Sequence, residues 1–353
     1  MTEYRPPVFL SSLWRSGSTY VWSRFRADPA TCSFYEPLHD GLATMTRAGI
    51  AKDTPGQIAS LRHPALAEPY FSEYAPLLRP FGGVPRFSAD LAHDRWALRP
   101  TEQHPRLARY IDHLIAHARS QQRQAVLGCV RAPLRLGWVG RQRLDMRLIH
   151  LDRAPLDVWR SCVQQGEAGR SFFGNWLQVV WRNRNDPTMA PVFERLPWPT
   201  GWRAGLTKPK HRHRVMLQGM APEETYFLIA YMWGAAALHG LTHAHAVVDI
   251  NRSGEPEYNA AIGERLRELC RSTVSLDDMR IPPPATLAEP EDRVAIETAA
   301  MFALRHRTPA HLFDAQKVAE RLAELAPDKA ALLLEALPPT LRVGRTTRVS
   351  LVG

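Results

Sequence analysis

The chain has 353 residues, enough for one large domain or for one and a half. Hydrophobic residues make up 45% and charged residues 23%, which is typical of an ordinary soluble globular protein. No run approaches the ~20 apolar residues of a membrane span. No charged and then apolar leader opens the chain, so we expect no membrane span and a cytoplasmic location.

The net charge of +10 is compatible with nucleic-acid binding and equally with an anionic small-molecule ligand. The chain has no zinc-finger spacing and no RNP-like motif, so nucleic acid is not expected as a partner. The four cysteines are far apart and lie in apolar or helical contexts, which predicts buried thiols. The His243-x-His245 pair lacks an acidic or cysteine partner at ligand spacing, so no metal site is predicted.

Residues 8–26 predict a strand, a turn of small residues and a helix N-terminus. Backbone N–H groups converge at such a turn, and the helix dipole favours an anion there. The spacing fits the phosphate-binding loop GxxxxGK[ST] with four residues at its defined positions, namely Ser12, Gly17, Ser18 and Thr19. Ser18 stands where that loop has its lysine, and Arg15 lies three residues before it. A loop without the lysine suits a shorter anionic group than a nucleoside triphosphate.

Two further strands are predicted next along the chain. Ser33 to Tyr35 form a short one, and Glu36 stands at its carboxyl end, where open α/β sheets place their ligands. His39 follows shortly after. The second strand, 125–130, is followed by Arg131 and, a few residues on, by Arg135.

Residues 147–163 predict a fourth strand, a turn and a helix that has Pro155 in its first turn. Arg153 lies in the turn and offers a planar guanidinium fork to a phosphate. Ser161 adds a hydroxyl donor two helical turns later. Farther on, 244–250 predicts a late strand and 259–270 a helix.

The segment Arg15-Ser16-Gly17-Ser18-Thr19 resembles the 5′-phosphosulfate loop of sulfotransferases that use 3′-phosphoadenosine 5′-phosphosulfate (PAPS). The series Arg153, Pro155, Asp157 and Ser161 resembles the 3′-phosphate motif of the same family. The resemblance covers about residues 5–275. The family's late Arg-Lys-Gly motif is not recognisable in this chain.

This resemblance implies an α/β fold, with a mostly parallel central sheet flanked by helices as in the P-loop-like sulfotransferases. It implies transfer of a sulfuryl group from PAPS to an acceptor hydroxyl, on a small molecule, a glycan or a tyrosine. Arg15 to Thr19 would hold the 5′-phosphosulfate, and Arg153 with Ser161 the 3′-phosphate. Glu36 would be the general base, with His39 in reserve.

The resemblance also implies a basic residue near the sulfuryl group. Arg131 is the candidate for this substrate contact and Arg135 is its rival. Two alternatives stay open beside the sulfotransferase: a nucleotide-dependent phosphotransferase with a degenerate loop, and a non-catalytic protein that binds nucleotides or nucleic acid.

A triproline near residue 282 indicates a linker or hard turn, and helical patterns follow at 292–305 and 316–337. The sequence therefore predicts an α/β domain over 1–281 and a helical extension over 282–353. It leaves open whether the extension packs on the core, caps the site or pairs with a second copy in a homo-oligomer.

Overall fold

In a computed structural model of the chain, one five-stranded sheet is the central feature. The described residues are 4–52, 63–164, 166–198, 216–217, 219–280 and 287–341, with the backbone alone in 166–172. The sheet has the order β2-β3-β1-β4-β5, and every neighbouring pair is parallel. The strands are β1 (Val8–Ser12), β2 (Thr31–Tyr35), β3 (Gln124–Cys129), β4 (Arg147–Asp152) and β5 (Ala246–Asp249).

The strands are buried along almost their whole length, as expected of a parallel sheet that is covered on both faces. Their apolar side chains, with those of α1 (Ser18–Arg26), build the main core, in which Trp22 and Phe25 are fully buried. The prediction of an α/β protein with a mostly parallel central sheet is confirmed, and the sheet is entirely parallel.

Helices connect and flank the strands in both halves of the chain. After α1 they are α2 (Arg47–Ile50), α3 (Asp90–His93), α4 (Pro105–Ser120), α5 (Leu136–Gln142), α6 (Pro155–Val163), α7 (Gly166–Arg182), α8 (Ala190–Arg195), α9 (Pro222–His243), α10 (Pro256–Cys270), α11 (Arg293–Arg307), α12 (Ala315–Arg321) and α13 (Pro327–Leu334). Short 3₁₀ helices include Asp40–Ala43, Ser72–Leu77, Pro133–Arg135 and Ile250–Arg252. The predicted pattern over 316–337 is two helices, because Pro327 starts a new one.

The chain divides into two compact units, and their bounds differ from the predicted ones. The first unit is Met1–Arg153 with His243–Pro283 and contains the sheet. The second is Ala154–Thr242 with Pro284–Gly353, so the C-terminal extension shares its unit with the segment that follows Arg153.

The physical reason for the second unit lies in α9. This helix is buried without interruption from Thr225 to Thr242, so it needs apolar partners on every side. The C-terminal helices supply some of them: a methyl group on Gly234 would stand 2.6 Å from side-chain atoms of Leu304 and Met301. His239 Nδ1 lies 2.7 Å from the carbonyl of Leu312. An apolar helix of this kind cannot be assigned to one domain from its sequence alone.

The predicted thiols are confirmed as buried and unbridged: Cys32, Cys129, Cys162 and Cys270. Over the described ranges, the helices include none whose length and apolar character would let it cross a bilayer.

Candidate active site at the carboxyl edge of the sheet

The site residues predicted in the first unit follow four different strands at the same edge of the sheet. Because the strands are parallel, the segments after β1, β2, β3 and β4 all begin at the carboxyl edge. β1 and β4 are neighbours, yet β1 leads to β2 at one border of the sheet and β4 leads to β5 at the other. The crevice between two such diverging connections is where open α/β sheets bind ligands.

The loop after β1 has an unusual backbone. Arg15 has φ 68° and Gly17 has φ 75°, so both lie in the left-handed region. A non-glycine residue there costs ~1–2 kcal/mol, and such strain is typical of ligand-binding loops. Besides its positive φ, position 17 needs glycine because a methyl group there would stand 3.1 Å from Cδ1 of Ile250.

The loop leads directly into α1. Gly17 is the residue before the helix and has no side chain to cap it, so the first N–H groups of α1 face the loop. Ser16 is buried, with 2% of its surface exposed, while Ser18 and Thr19 are half-buried in the first turn. Thr19 Oγ1 lies 3.4 Å from the hydroxyl of Tyr35 on β2. The loop thus runs directly into the N-terminus of α1, as the sequence predicts, and anion binding by this loop stays a prediction.

Arg153 joins this loop from the neighbouring strand. It follows β4, is 9% exposed, and its Nη1 donates to the carbonyl oxygen of Arg15 at 3.1 Å. The side chain of Arg153 thus contacts the main chain of Arg15, so the two segments that carry the predicted motifs meet here. Ser161 lies on α6 in the second unit, where it is 6% exposed.

Glu36 has a strained backbone and a buried carboxylate. It follows β2 with φ 44° and is 6% exposed. Its N–H donates to the carbonyl of Gly128 at 2.8 Å, which fixes the residue against β3. Burial raises the pKa of Glu36 to about 7, and the charge of Arg131 and a backbone hydrogen bond at Val130 offset only part of that rise.

The structure separates the two arginine candidates after β3. Arg131 Nη1 forms a buried ion pair with Oε2 of Glu36 at 3.0 Å. Arg135 is fully buried and donates to the backbone carbonyls of Arg95, Leu91 and Asp94, at 3.1, 2.8 and 2.6 Å. Burial lowers the pKa of Arg135 to about 10. Because its guanidinium is occupied by main-chain acceptors, the geometry favours Arg131 over Arg135 as the residue that contacts a substrate.

His39 has a structural role. Its Nδ1 accepts a hydrogen bond from the N–H of Gly41 at 3.1 Å and so caps the 3₁₀ helix Asp40–Ala43. The edge of its ring meets Phe71, with the ring centres 5.5 Å apart. An imidazole whose Nδ1 is engaged in this way is a poorer candidate for the base than the buried Glu36.

Two residues that the sequence analysis did not single out lie beside the predicted site. Asp40 Oδ1 is 3.8 Å from Nη2 of Arg131. The ring centre of His63 is 6.3 Å from that of Tyr35 and 5.6 Å from that of Tyr70. Burial, with the charge of Arg15, lowers the pKa of His63 to about 4, so its imidazole is neutral. Neither residue lies in a recognisable motif; Asp40 directly follows His39 in sequence, whereas the fold brings His63 to Tyr35.

No protein-family profile, curated protein or solved structure matches this chain. Within the described ranges, no three His, Cys, Asp or Glu side chains are grouped so that they could hold a metal ion. The function must therefore be argued from the chemistry of the residues at the carboxyl edge.

Proposed function

We propose that the protein is a sulfotransferase that uses PAPS as its donor and has a P-loop-like sulfotransferase fold. One observation carries the proposal: the strained Arg15 loop, at the point where the connections of β1 and β4 diverge, is bonded to Arg153. A loop with helix N–H groups suits the 5′-phosphosulfate. A second guanidinium, one strand away, suits the ribose 3′-phosphate that distinguishes PAPS from ATP. The role of Ser161, which lies in the second unit, stays a prediction.

In the proposed reaction the acceptor hydroxyl oxygen attacks the sulfur, and the bond between sulfur and the bridging phosphate oxygen breaks. The acceptor's proton moves to the carboxylate of Glu36. The products are the sulfate ester and 3′-phosphoadenosine 5′-phosphate. Arg15 and the N–H groups of α1 stabilise the negative charge that develops on the leaving phosphate. Arg131 is the proposed contact to the sulfuryl group.

The environment of Glu36 suits the role of base. A general base works best when its pKa lies near the working pH, since it must be ionised and still bind a proton. Burial brings the pKa of Glu36 to about 7, which meets both conditions. An exposed carboxylate near its ordinary pKa would hold the acceptor's proton far less well.

The cofactor assignment is tested by calorimetric titration with 3′-phosphoadenosine 5′-phosphate and with AMP. The two nucleotides differ only in the 3′-phosphate, so AMP is a matched control. A charge-assisted contact contributes ~1.5–3 kcal/mol, which corresponds to about tenfold to a hundredfold in affinity. We expect that preference in the wild type and its loss in Arg153→Ala. Equal affinities in the wild type would contradict the proposal.

The same titration separates the alternatives. ADP bound better than the 3′-phosphorylated nucleotide would favour a phosphotransferase, and duplex DNA bound better than either would favour a nucleic-acid-binding protein. The acceptor is sought by incubating the protein with PAPS and candidate hydroxyl compounds. Mass spectrometry then detects the gain of one sulfuryl group.

A further inference from the structure

Arg131 lies between two carboxylates of very different exposure. Its Nη1 is 3.0 Å from Glu36 Oε2, and its Nη2 is 3.8 Å from Asp40 Oδ1. The side chains of Arg131 and Glu36 are 5% and 8% exposed, whereas that of Asp40 is 45% exposed. We call these three residues the carboxylate–arginine cluster. Its inner pair is shielded from water, and its outer carboxylate is in contact with it.

The guanidinium is held in place by packing as well as by charge. Its central carbon lies 5.4 Å from the ring centre of Trp14, which stacks on Trp96 at 6.5 Å with an interplanar angle of 6°. Its Nε is buried and has no hydrogen-bond partner among the described residues. In the described part of the chain, Glu36 accepts a hydrogen bond from Arg131 and Asp40 lies within ion-pair distance of it, so the two carboxylates compete for one positive charge.

We propose that the charge of Arg131 is divided between Glu36 and Asp40, and that Asp40, as a positioning residue, thereby keeps Glu36 a stronger base than Arg131 alone would allow. The positive charge of Arg131 lowers the pKa of the buried Glu36. In the proposal, the negative charge of Asp40 offsets part of this lowering. The catalytic meaning of this division rests on the proposed function, but the effect on the protonation of Glu36 does not.

The charge on Asp40 is present at neutral pH. Burial acts to raise the pKa of Asp40, but His39, Arg131 and His93 together hold it below its usual value. Three further titratable side chains face Glu36, and burial raises the pKa of each, to about 12 for the thiol: Tyr35, Tyr74 and Cys129. These three stay protonated between pH 5 and about 9. The histidines beside Asp40 are thus the remaining groups that need a control.

The test follows the carboxyl carbon of Glu36 by NMR in protein labelled with ¹³C-glutamate, with the signal assigned by its loss in Glu36→Gln. We expect Asp40→Asn to lower the midpoint of this titration by about 0.5–1 pH unit, because the full charge of Arg131 then serves Glu36. Arg131→Gln should raise it by about 1–3 pH units. Arg131→Lys keeps the charge and should stay near the wild type.

The opposite directions of the two shifts distinguish this role from a merely structural one. An unchanged or raised midpoint in Asp40→Asn would overturn the proposal. If Arg131→Gln does not fold, Asp40→Asn and Arg131→Lys still decide the matter. His39→Ala and His93→Gln are the controls for the two neighbouring imidazoles: in either variant, a fall in the midpoint as large as that of Asp40→Asn would assign the effect to that histidine instead.

The pH profile of sulfuryl transfer tests the catalytic part separately. The acidic limb of kcat/KM should move with the NMR midpoint in each variant. NMR shifts as expected without any sulfuryl transfer would leave the cluster assignment intact and overturn the proposed function. A profile that does not follow the midpoint would show that Glu36 is not the base.

Discussion

Glu36→Gln removes a buried carboxyl group whose pKa is raised by its burial. The variant keeps the shape of the side chain but cannot change its charge. In the wild type the native-state pKa is about 7, against an ordinary value of 4.5. Between these two pH values the native state binds more protons than the unfolded state. The stability that Glu36 contributes is therefore complete below pH 4.5 and is lost as the pH rises through 7.

The size of this effect follows from the difference in pKa. One pKa unit corresponds to ~1.4 kcal/mol, so the free energy of unfolding should fall by about 3 kcal/mol from this group between pH 4.5 and pH 7. In Glu36→Gln that fall should vanish. At pH values where wild-type Glu36 is ionised, the variant also leaves Arg131 without that anionic partner, which lowers stability there. The diagnostic quantity is therefore the slope of stability against pH and not its absolute value.

The slope is measured by urea denaturation at several pH values from 5 to 8. Glu264→Gln, which changes an exposed glutamate on α10 of the same unit, is the matched control and should keep the wild-type slope. Turnover in Glu36→Gln should fall by ~10²–10⁴-fold, while His39→Ala should be mild. Identical slopes in the wild type and Glu36→Gln would refute the reasoning about burial. If His39→Ala loses most of its turnover while Glu36→Gln keeps it, His39 is the base.

Three further predictions concern the loop and its neighbours. Arg15→Gly should be about 1 kcal/mol more stable than Arg15→Ala in thermal unfolding, because glycine adopts φ 68° without strain. Both variants should bind 3′-phosphoadenosine 5′-phosphate weakly, because both lack the guanidinium. Gly17→Ala should lose ~1–2 kcal/mol from its positive φ and crowd Ile250. Gly263→Ala lies inside α10 with 3.4 Å to its nearest neighbour, so in the same assay it should be neutral or up to about 1 kcal/mol more stable. Arg135→Met should lose about 3 kcal/mol or more by removing three buried hydrogen bonds to main-chain carbonyls, with nucleotide affinity kept wherever the protein is folded. Lost affinity without lost stability would make Arg135 a binding residue after all.

Local patterns predicted the five strands and several of the helices, but not α4 or α5. The apolar runs of the five strands and the polar turns after them are signals within a few residues, and each predicted strand is present. The helix predicted within residues 8–26 begins at Ser18, and the helix predicted to have Pro155 in its first turn begins at that residue. The sulfotransferase assignment itself stays a prediction, because it depends on ligands that have yet to be tested.

The sequence alone determined the strands, the helix starts and the residue types at the ends of the strands, because these depend on neighbours along the chain. Only the tertiary structure decided which of those residues meet. Arg153 bonds to the carbonyl of a residue 138 positions away, and Arg131 pairs with a residue 95 positions away. The order of the strands sets both contacts, and burial by distant segments raises the pKa of Glu36. Strand order and desolvation are properties of the packed chain, so no local pattern could distinguish Arg131 from Arg135.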